Sequence, residues 1–110
     1  MDYSKLSDFE INKLVAKTIG AVDVRQLKNM INEVYCKIDG KRSFKDFCNN
    51  PSDAWPIIVE NKISIWSQGS SSDLFCAFWQ SEENLKHTSD NPLRAAMIVY
   101  LMMQDELKGE

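Results

Sequence analysis

The chain has 110 residues, an apolar fraction of 44%, a charged fraction of 26% and a formal net charge of −3. These values are typical of an ordinary globular protein. They predict one domain over residues 1–110, long enough to bury a core without disulfide bonds or metals. The net negative charge disfavours nucleic acid as a partner, because general nucleic-acid binders usually carry a basic stripe.

The three cysteines, Cys36, Cys48 and Cys76, are odd in number, and no two of them lie at C-x-x-C spacing. This pattern argues against a disulfide framework and against a zinc site, and it predicts reduced thiols in a cytoplasmic protein. The first residues lack the apolar segment of a signal peptide. The longest apolar run, residues 95–103, is about half as long as a membrane-spanning helix, so no membrane contact is predicted.

The first predicted element is a helix over residues 8–19. Ser7 and Glu10 match a capping box, in which each side chain accepts a hydrogen bond from the backbone N–H of the other residue. Apolar residues follow at helical spacing, and Gly20 supplies the left-handed residue that ends many helices. Residues 21–32 fit either a helix or a strand, and both alternatives remain open.

A β-hairpin is predicted next. Residues 33–38 alternate between the two faces of a strand, and the Asp-Gly pair at residues 39–40 favours the tight turn that matches strand twist. The return strand is predicted over residues 42–47, with Phe44 packed and Phe47 as a second candidate for burial.

The passage from residue 48 to residue 61 begins with turn formers. A residue before a proline is biased away from the helical conformation, so Trp55 is predicted to lie outside a helix. A short helix is therefore predicted from Pro56 to about residue 61, because proline suits the first helical position.

Two further strands are predicted, over residues 62–66 and 74–79. The Gly- and Ser-rich residues 68–73 predict a flexible loop between them. Residues 81–91 are polar and are predicted as a second loop, which carries the only histidine, His87.

The last predicted helix begins at Pro92, with Asp90 or Asn91 as its cap. Residues 95–103 are all apolar, and a helix that is apolar all round is normally buried, so the other elements are expected to pack against it. The predicted fold is α+β: a small antiparallel sheet of three to five strands with the N-terminal and C-terminal helices packed on one face.

No catalytic motif stands out, so the protein is predicted to need no cofactor and to act without catalysis, with an enzyme kept as an open alternative. A nucleophilic cysteine needs a base within hydrogen-bond reach, and His87 lies in a polar stretch with no spacing that links it to a thiol. Buried structural cysteines are the commoner case.

Residues 49–55 form the first candidate interaction surface, because polar groups on a turn beside a large ring are typical of binding loops. The residues are Asn49, Asn50, Ser52, Asp53 and Trp55. The favoured alternative is a purely structural junction, in which Asp53 caps a helix and Trp55 packs into the core.

Two further surfaces are weaker candidates. Methionine adapts to partner surfaces, so Tyr100, Met102 and Met103 are candidates for self-association into a homo-oligomer. A basic cluster around the hairpin offers phosphate contacts, although a solvated strand face is the favoured interpretation. That cluster consists of Lys37, Lys41, Arg42 and Lys45.

Three passages resemble the phage NinX-like family. They are residues 3–12 (YSKLSDFEIN), 49–58 (NNPSDAWPII) and 91–97 (NPLRAAM), in the family's order and spread over the chain, whereas residues 22–45 carry no such match. The resemblance implies a phage or prophage accessory protein of unknown function in the bacterial host cytoplasm. It implies no reaction and no catalytic residues. Because the second and third passages are the most distinctive, they are expected to pack together.

The leading hypothesis is a non-enzymatic protein–protein interaction module that binds an unidentified host or phage protein. The first alternative is an enzyme or small-ligand binder that uses the Asn49–Trp55 loop, with a pocket beside Trp55 and Asp53. The second alternative is nucleic-acid binding through the Lys37–Lys45 hairpin.

Overall fold

The computed structural model describes residues 2–69, 73–79 and 82–108, without the side chains of residues 82–84. A short 3-10 helix, Tyr3–Lys5, precedes three α-helices and six strands. In chain order these are α1 (Asp8–Thr18), β1 (Val22–Arg25), β2 (Val34–Ile38), β3 (Lys41–Lys45), α2 (Pro51–Glu60), β4 (Ile63–Ser67), β5 (Phe75–Trp79), β6 (Glu82–Ser89) and α3 (Pro92–Lys108).

The strands form two antiparallel sheets of three, in the orders β1-β2-β3 and β4-β5-β6. Helix α1 packs on the first sheet, α3 packs on the second sheet, and the two helices contact each other. The predicted α+β class and the two terminal helices are therefore confirmed. The strands form two sheets where one was predicted, and each terminal helix covers a different sheet.

Helix α1 begins as predicted. Ser7 Oγ accepts a hydrogen bond from the Glu10 N–H at 3.1 Å, and the Glu10 carboxylate accepts one from the Ser7 N–H at 3.0 Å. Just beyond the helix, Gly20 has φ +96°, a backbone conformation that is strained for any residue with a side chain. Residues 21–32 contain the strand β1, so the strand alternative holds for their first part.

The hairpin β2–β3 turns at Asp39 and Gly40, whose φ angles of 52° and 83° are those of the tight hairpin turn. Tyr35 lies opposite Phe44 in the register, on the face away from the buried side of β2. Phe44 is 56% exposed, so its predicted burial is wrong, and Phe47 is the phenylalanine that enters the core.

Helix α2 begins at Pro51, five residues before the predicted start, so the predicted start at Pro56 is wrong. Asn50 Oδ1 accepts a hydrogen bond from the Ser52 N–H at 2.9 Å and caps the helix. Trp55 lies inside the helix, because the bias on a residue before proline is weaker than the drive to propagate a capped helix.

The second sheet contains one strand that the sequence pattern did not predict. Residues 81–91 were expected to form a loop, but β6 pairs with β5 and places His87 opposite Ala77. A polar strand gives a weak periodic signal, because pairing with a neighbouring strand stabilises it more than burial of its own side chains does. Residues 70–72 of the predicted 68–73 loop lie outside the described residues.

Helix α3 begins at Pro92 as predicted, and Asn91 Oδ1 accepts hydrogen bonds from the N–H groups of Leu93 and Arg94 at 3.0 and 3.1 Å. Residues 95–101 are all buried, and α3 contacts α1, α2 and every strand of the second sheet. The expectation that the other elements pack against this helix is confirmed for those elements. No helix in the described part of the chain is long and apolar enough to cross a membrane.

One polar side chain, Asn12, lies within the apolar core at 0% exposure. Its Nδ2 donates to the Asn32 carbonyl at 2.9 Å and to Asp46 Oδ1 at 2.8 Å. Its Oδ1 accepts from the Cys48 N–H at 3.0 Å. The amide therefore satisfies its buried groups and ties α1 to the segments on either side of the β2–β3 hairpin.

We expect Asn12→Ala to lower the free energy of unfolding by about 2–3 kcal/mol, because it leaves the buried Cys48 N–H without its partner and removes the hydrogen bonds to the Asn32 carbonyl and to Asp46. Urea unfolding followed by circular dichroism measures this loss. The exposed Asn29→Ala provides a matched control, for which a change within about 0.5 kcal/mol is expected. A loss in Asn12→Ala no larger than that in the control would contradict the assigned role.

Candidate interaction surfaces

The loop before α2 is held by its polar side chains. Asn49 Nδ2 donates to Asp8 Oδ2 and to both carboxylate oxygens of Asp46, at 3.1 Å in each case. Asn49 Oδ1 accepts from Asn91 Nδ2 at 3.0 Å. With Asn50 acting as the α2 cap, two of the five residues of the predicted Asn49–Trp55 surface hold the chain in place.

Asp53 is also engaged. Its carboxylate accepts a hydrogen bond from the Asp46 N–H at 2.9 Å and lies 3.4 Å from Lys45 Nζ. The helix cap is Asn50, so the predicted capping role of Asp53 is wrong, and Asp53 instead fastens the first turn of α2 to the end of β3. Ser52 is exposed.

Arg94 brings the three family-like passages together. Its Nη1 donates to Asp8 Oδ1 at 2.7 Å, and its Nη2 donates to the carbonyls of Leu6 and Ser4 at 2.7 and 3.2 Å. Asp8 also accepts from Asn49, so the starts of α1, α2 and α3 meet at one ion pair. The expected packing of residues 49–58 against residues 91–97 is confirmed at this junction.

The outer face of α2, defined by Trp55, Pro56 and Val59, points to solvent. Trp55 is 60% exposed and Val59 is 53% exposed, so the expectation that Trp55 packs into the core is wrong. The opposite face of the same helix is buried through Ala54, Ile57 and Ile58. Helix α2 therefore carries apolar side chains all round although the protein covers only one side of it.

The first sheet also leaves one face uncovered. The Tyr35 and Phe44 rings lie on it with their centroids 4.8 Å apart, and the Arg42 guanidinium carbon lies 5.6 Å from the Tyr35 centroid. Strand alternation places Lys37 on this face as well.

The other two lysines of the predicted basic cluster lie elsewhere. Lys45 is opposite the buried Val34 and pairs with Asp53, and Lys41 is exposed beside the hairpin turn. The four cations therefore do not share one surface.

The second sheet has a corresponding outer face. Trp66 is 63% exposed and meets Phe78 edge to face, with ring centroids 5.3 Å apart. A shallow cavity of about 340 Å³ lies there, lined by Trp66, Gln68, Cys76, Phe78 and Lys86. Two other cavities lie beside α1 and between the far ends of α1, α2 and α3, and none of the three is lined by residues 49–55.

The predicted self-association residues lie mostly inside the protein. Tyr100 and Met103 are 5% and 3% exposed, and Met102 is half-buried. Burial raises the pKa of Tyr100, and the negative charge of Glu60 adds to the shift. A homo-oligomer stays a prediction. Two copies would have to meet through exposed residues near Tyr100, Met102 and Met103, because these three side chains are themselves mostly buried.

The three cysteines differ in their burial. Cys36 and Cys48 are buried, and Cys76 is half-buried on the outer face of the second sheet. Burial raises the pKa of the Cys36 and Cys48 thiols, which is the reverse of what a nucleophile needs. Burial and the charge of Arg94 lower the pKa of His87. Among the described residues, no three potential metal ligands come together.

The sequence pattern passed over most of the exposed aromatic side chains. Phe44 was predicted to be packed and no surface role was predicted for Tyr35, although the two-residue turn at 39–40 fixes the register that places them side by side. No position was predicted for Val59, because a helix predicted to start at Pro56 leaves out Trp55, its neighbour on the outer face of α2. Alternation along β2, counted from the buried Val34, was the signal that could have found the first sheet's exposed face.

We expect 5,5′-dithiobis(2-nitrobenzoate) to label Cys76 quickly at neutral pH and to label Cys36 and Cys48 only at the rate at which the protein opens. The reason is that a buried thiol with a raised pKa supplies little accessible thiolate. Cys76→Ser should remove the fast phase, and urea should expose both remaining thiols. Fast labelling of Cys48, identified by peptide mass mapping, would contradict its structural role.

No curated protein matches the chain at a significant level. The sequence model of the family described as "Bacteriophage P22, NinX" matches residues 2–104, a span that includes all three passages joined at the Arg94 ion pair. The chain therefore belongs to the bacteriophage P22 NinX family and is a phage accessory protein.

Proposed function

We propose that this phage accessory protein acts in the host cytoplasm without catalysis, by binding another protein through the outer face of α2. The observation that supports this proposal is the exposure of Trp55 and Val59 on a helix whose other face is buried. Residues four apart on a helix lie side by side, so the two side chains form one continuous apolar strip.

This strip has the composition of a binding site. Tryptophan is enriched among the residues that dominate protein interfaces. A tryptophan side chain buries about 150–250 Å² at about 25 cal/mol per Å², so covering the exposed part of Trp55 would stabilise a complex by about 2–4 kcal/mol. The neighbouring Ser52 and Pro56 carry no charge that would have to be removed from water.

The helix is also rigidly placed. Asn50 caps it, Asp53 fastens its first turn to β3, and Asn49 joins it to the junction at Asp8. A surface held in one position loses little conformational entropy when a partner binds. The same hydrogen bonds occupy the polar groups that a small ligand or a catalytic reaction at residues 49–55 would need, which favours protein binding over those alternatives.

The test is crosslinking mass spectrometry in infected cells with an amine-reactive reagent. Lys45 and Lys62 lie at the two ends of α2 and serve as the reporting positions. For the wild type we expect crosslinks from these lysines to one other protein. The double substitution Trp55→Ala and Val59→Ser should reduce them at least about tenfold, because the lost burial is worth more than about 1.4 kcal/mol.

The matched control is Trp66→Ala, which removes an equally exposed tryptophan from the second sheet and should leave these crosslinks unchanged. Circular dichroism checks that each variant keeps its fold. Crosslinks that survive the double substitution, or the absence of any crosslink from the wild type to another protein, would refute the proposal. Crosslinks between differently isotope-labelled copies would instead support the predicted homo-oligomer.

A further inference from the structure

We propose that the outer face of the first sheet binds single-stranded nucleic acid by stacking bases on Phe44 and Tyr35 while cations contact the phosphates. This face lies opposite the side that α1 covers. Its members are Val22, Arg25, Tyr35, Lys37, Arg42 and Phe44. The proposal is independent of the one made for α2, because it uses none of the same residues.

The ring geometry suits stacking. Phe44 is 56% exposed, and its ring is tilted by 44° against that of Tyr35, with the centroids 4.8 Å apart. The exposed Phe44 ring and the adjacent Tyr35 ring form one aromatic surface on which bases can stack, because every base has a flat π-face. Sheets with aromatic side chains on an open face stack about two or three bases in this way.

The charge distribution suits a polyanion. The face holds three cations, Arg25, Lys37 and Arg42, and the carboxylate of Asp23 lies beside the two arginines, although the whole chain carries a net charge of −3. Asp23, at an irregularity in β1 with φ 54°, accepts hydrogen bonds from both arginines, and the guanidinium of Arg42 lies over the Tyr35 ring. Both arginine side chains remain more than one third exposed, so they can reach a phosphate.

Single strands fit this face better than the other polyanions. A duplex hides the faces of its bases inside the stack, so the exposed rings would gain nothing from it. An acidic peptide would satisfy the cations but would leave the rings exposed to water. Only an unpaired nucleic acid supplies a flat ring and a negative charge in each repeating unit.

Fluorescence anisotropy tests the proposal with two probes, a fluorescein-labelled oligothymidine and an oligouridine of about twelve nucleotides each. We expect the wild type to bind at low salt, with the logarithm of the binding constant falling against the logarithm of salt concentration at a slope of about −2. Three cations on a single strand account for this slope at about 0.7 each. The probe that binds with the higher affinity shows whether DNA or RNA is preferred.

Phe44→Ala should weaken binding roughly 5- to 150-fold with the salt slope unchanged, because it removes a stacking ring and no charge. Phe44→Tyr should restore binding. Lys37→Ala should make the slope shallower by about 0.7. Trp66→Ala and Lys86→Ala remove an exposed aromatic ring and a lysine from the outer face of the second sheet and should leave both affinity and slope unaltered.

Four results would overturn the proposal: no binding by the wild type at the lowest salt, a flat salt dependence, an equal loss in the second-sheet controls, or full binding by Phe44→Ala. A competition experiment distinguishes single-stranded nucleic acid from other polyanions. Displacement of the oligothymidine by poly-glutamate or by duplex DNA as effectively as by unlabelled oligothymidine would also overturn it, since the face would then recognise charge alone.

Discussion

The ion pair between Arg94 and Asp8 is the constraint on which the arrangement of the helices depends. Each helix starts beside it: Asp8 is the first residue of α1, Asn49 precedes α2, and Arg94 lies in the first turn of α3. Three helix N-termini carry partial positive charges that would repel each other, and carboxylates placed among them offset this repulsion. Arginine also satisfies two backbone carbonyls there, which a lysine could not do with the same planar geometry.

The meeting of the three helix starts at this ion pair is related to which surfaces of the protein stay exposed. With their starts joined, α1 lies against the first sheet and α3 lies against the second, so both sheets turn their covered faces toward the helices. The opposite faces and the outer side of α2 then remain open to solvent, and each of them carries an exposed aromatic side chain. The exposed side chains of Phe44 and Trp55 are the observations on which the two binding proposals rest.

Local signals predicted the start of α1, the hairpin turn and the start of α3, but they did not predict the arrangement of the sheets. The capping box at Ser7, the turn at residues 39–40 and the cap at Asn91 act within a few residues, so their chemistry is visible in the sequence. The division into two sheets and the strand β6 depend on pairing between distant segments, which periodicity does not report. Trp55 was misplaced because a local bias before proline was outweighed by a helix already started at Asn50.

The division into two sheets has a consequence for how the protein unfolds. In the described residues, the backbone hydrogen bonds between strands stay within each sheet. The sheet with α1 and the sheet with α3 are therefore coupled through the packing of α1 on α3 and through the Arg94–Asp8 junction at the starts of these helices. Side-chain contacts transmit cooperativity less strongly than a continuous hydrogen-bonded sheet. Helix α1 contacts mainly β1 and β2, whereas α3 contacts all three strands of the second sheet. The first sheet is thus the half able to open as a separate unit while α3 keeps the second sheet protected.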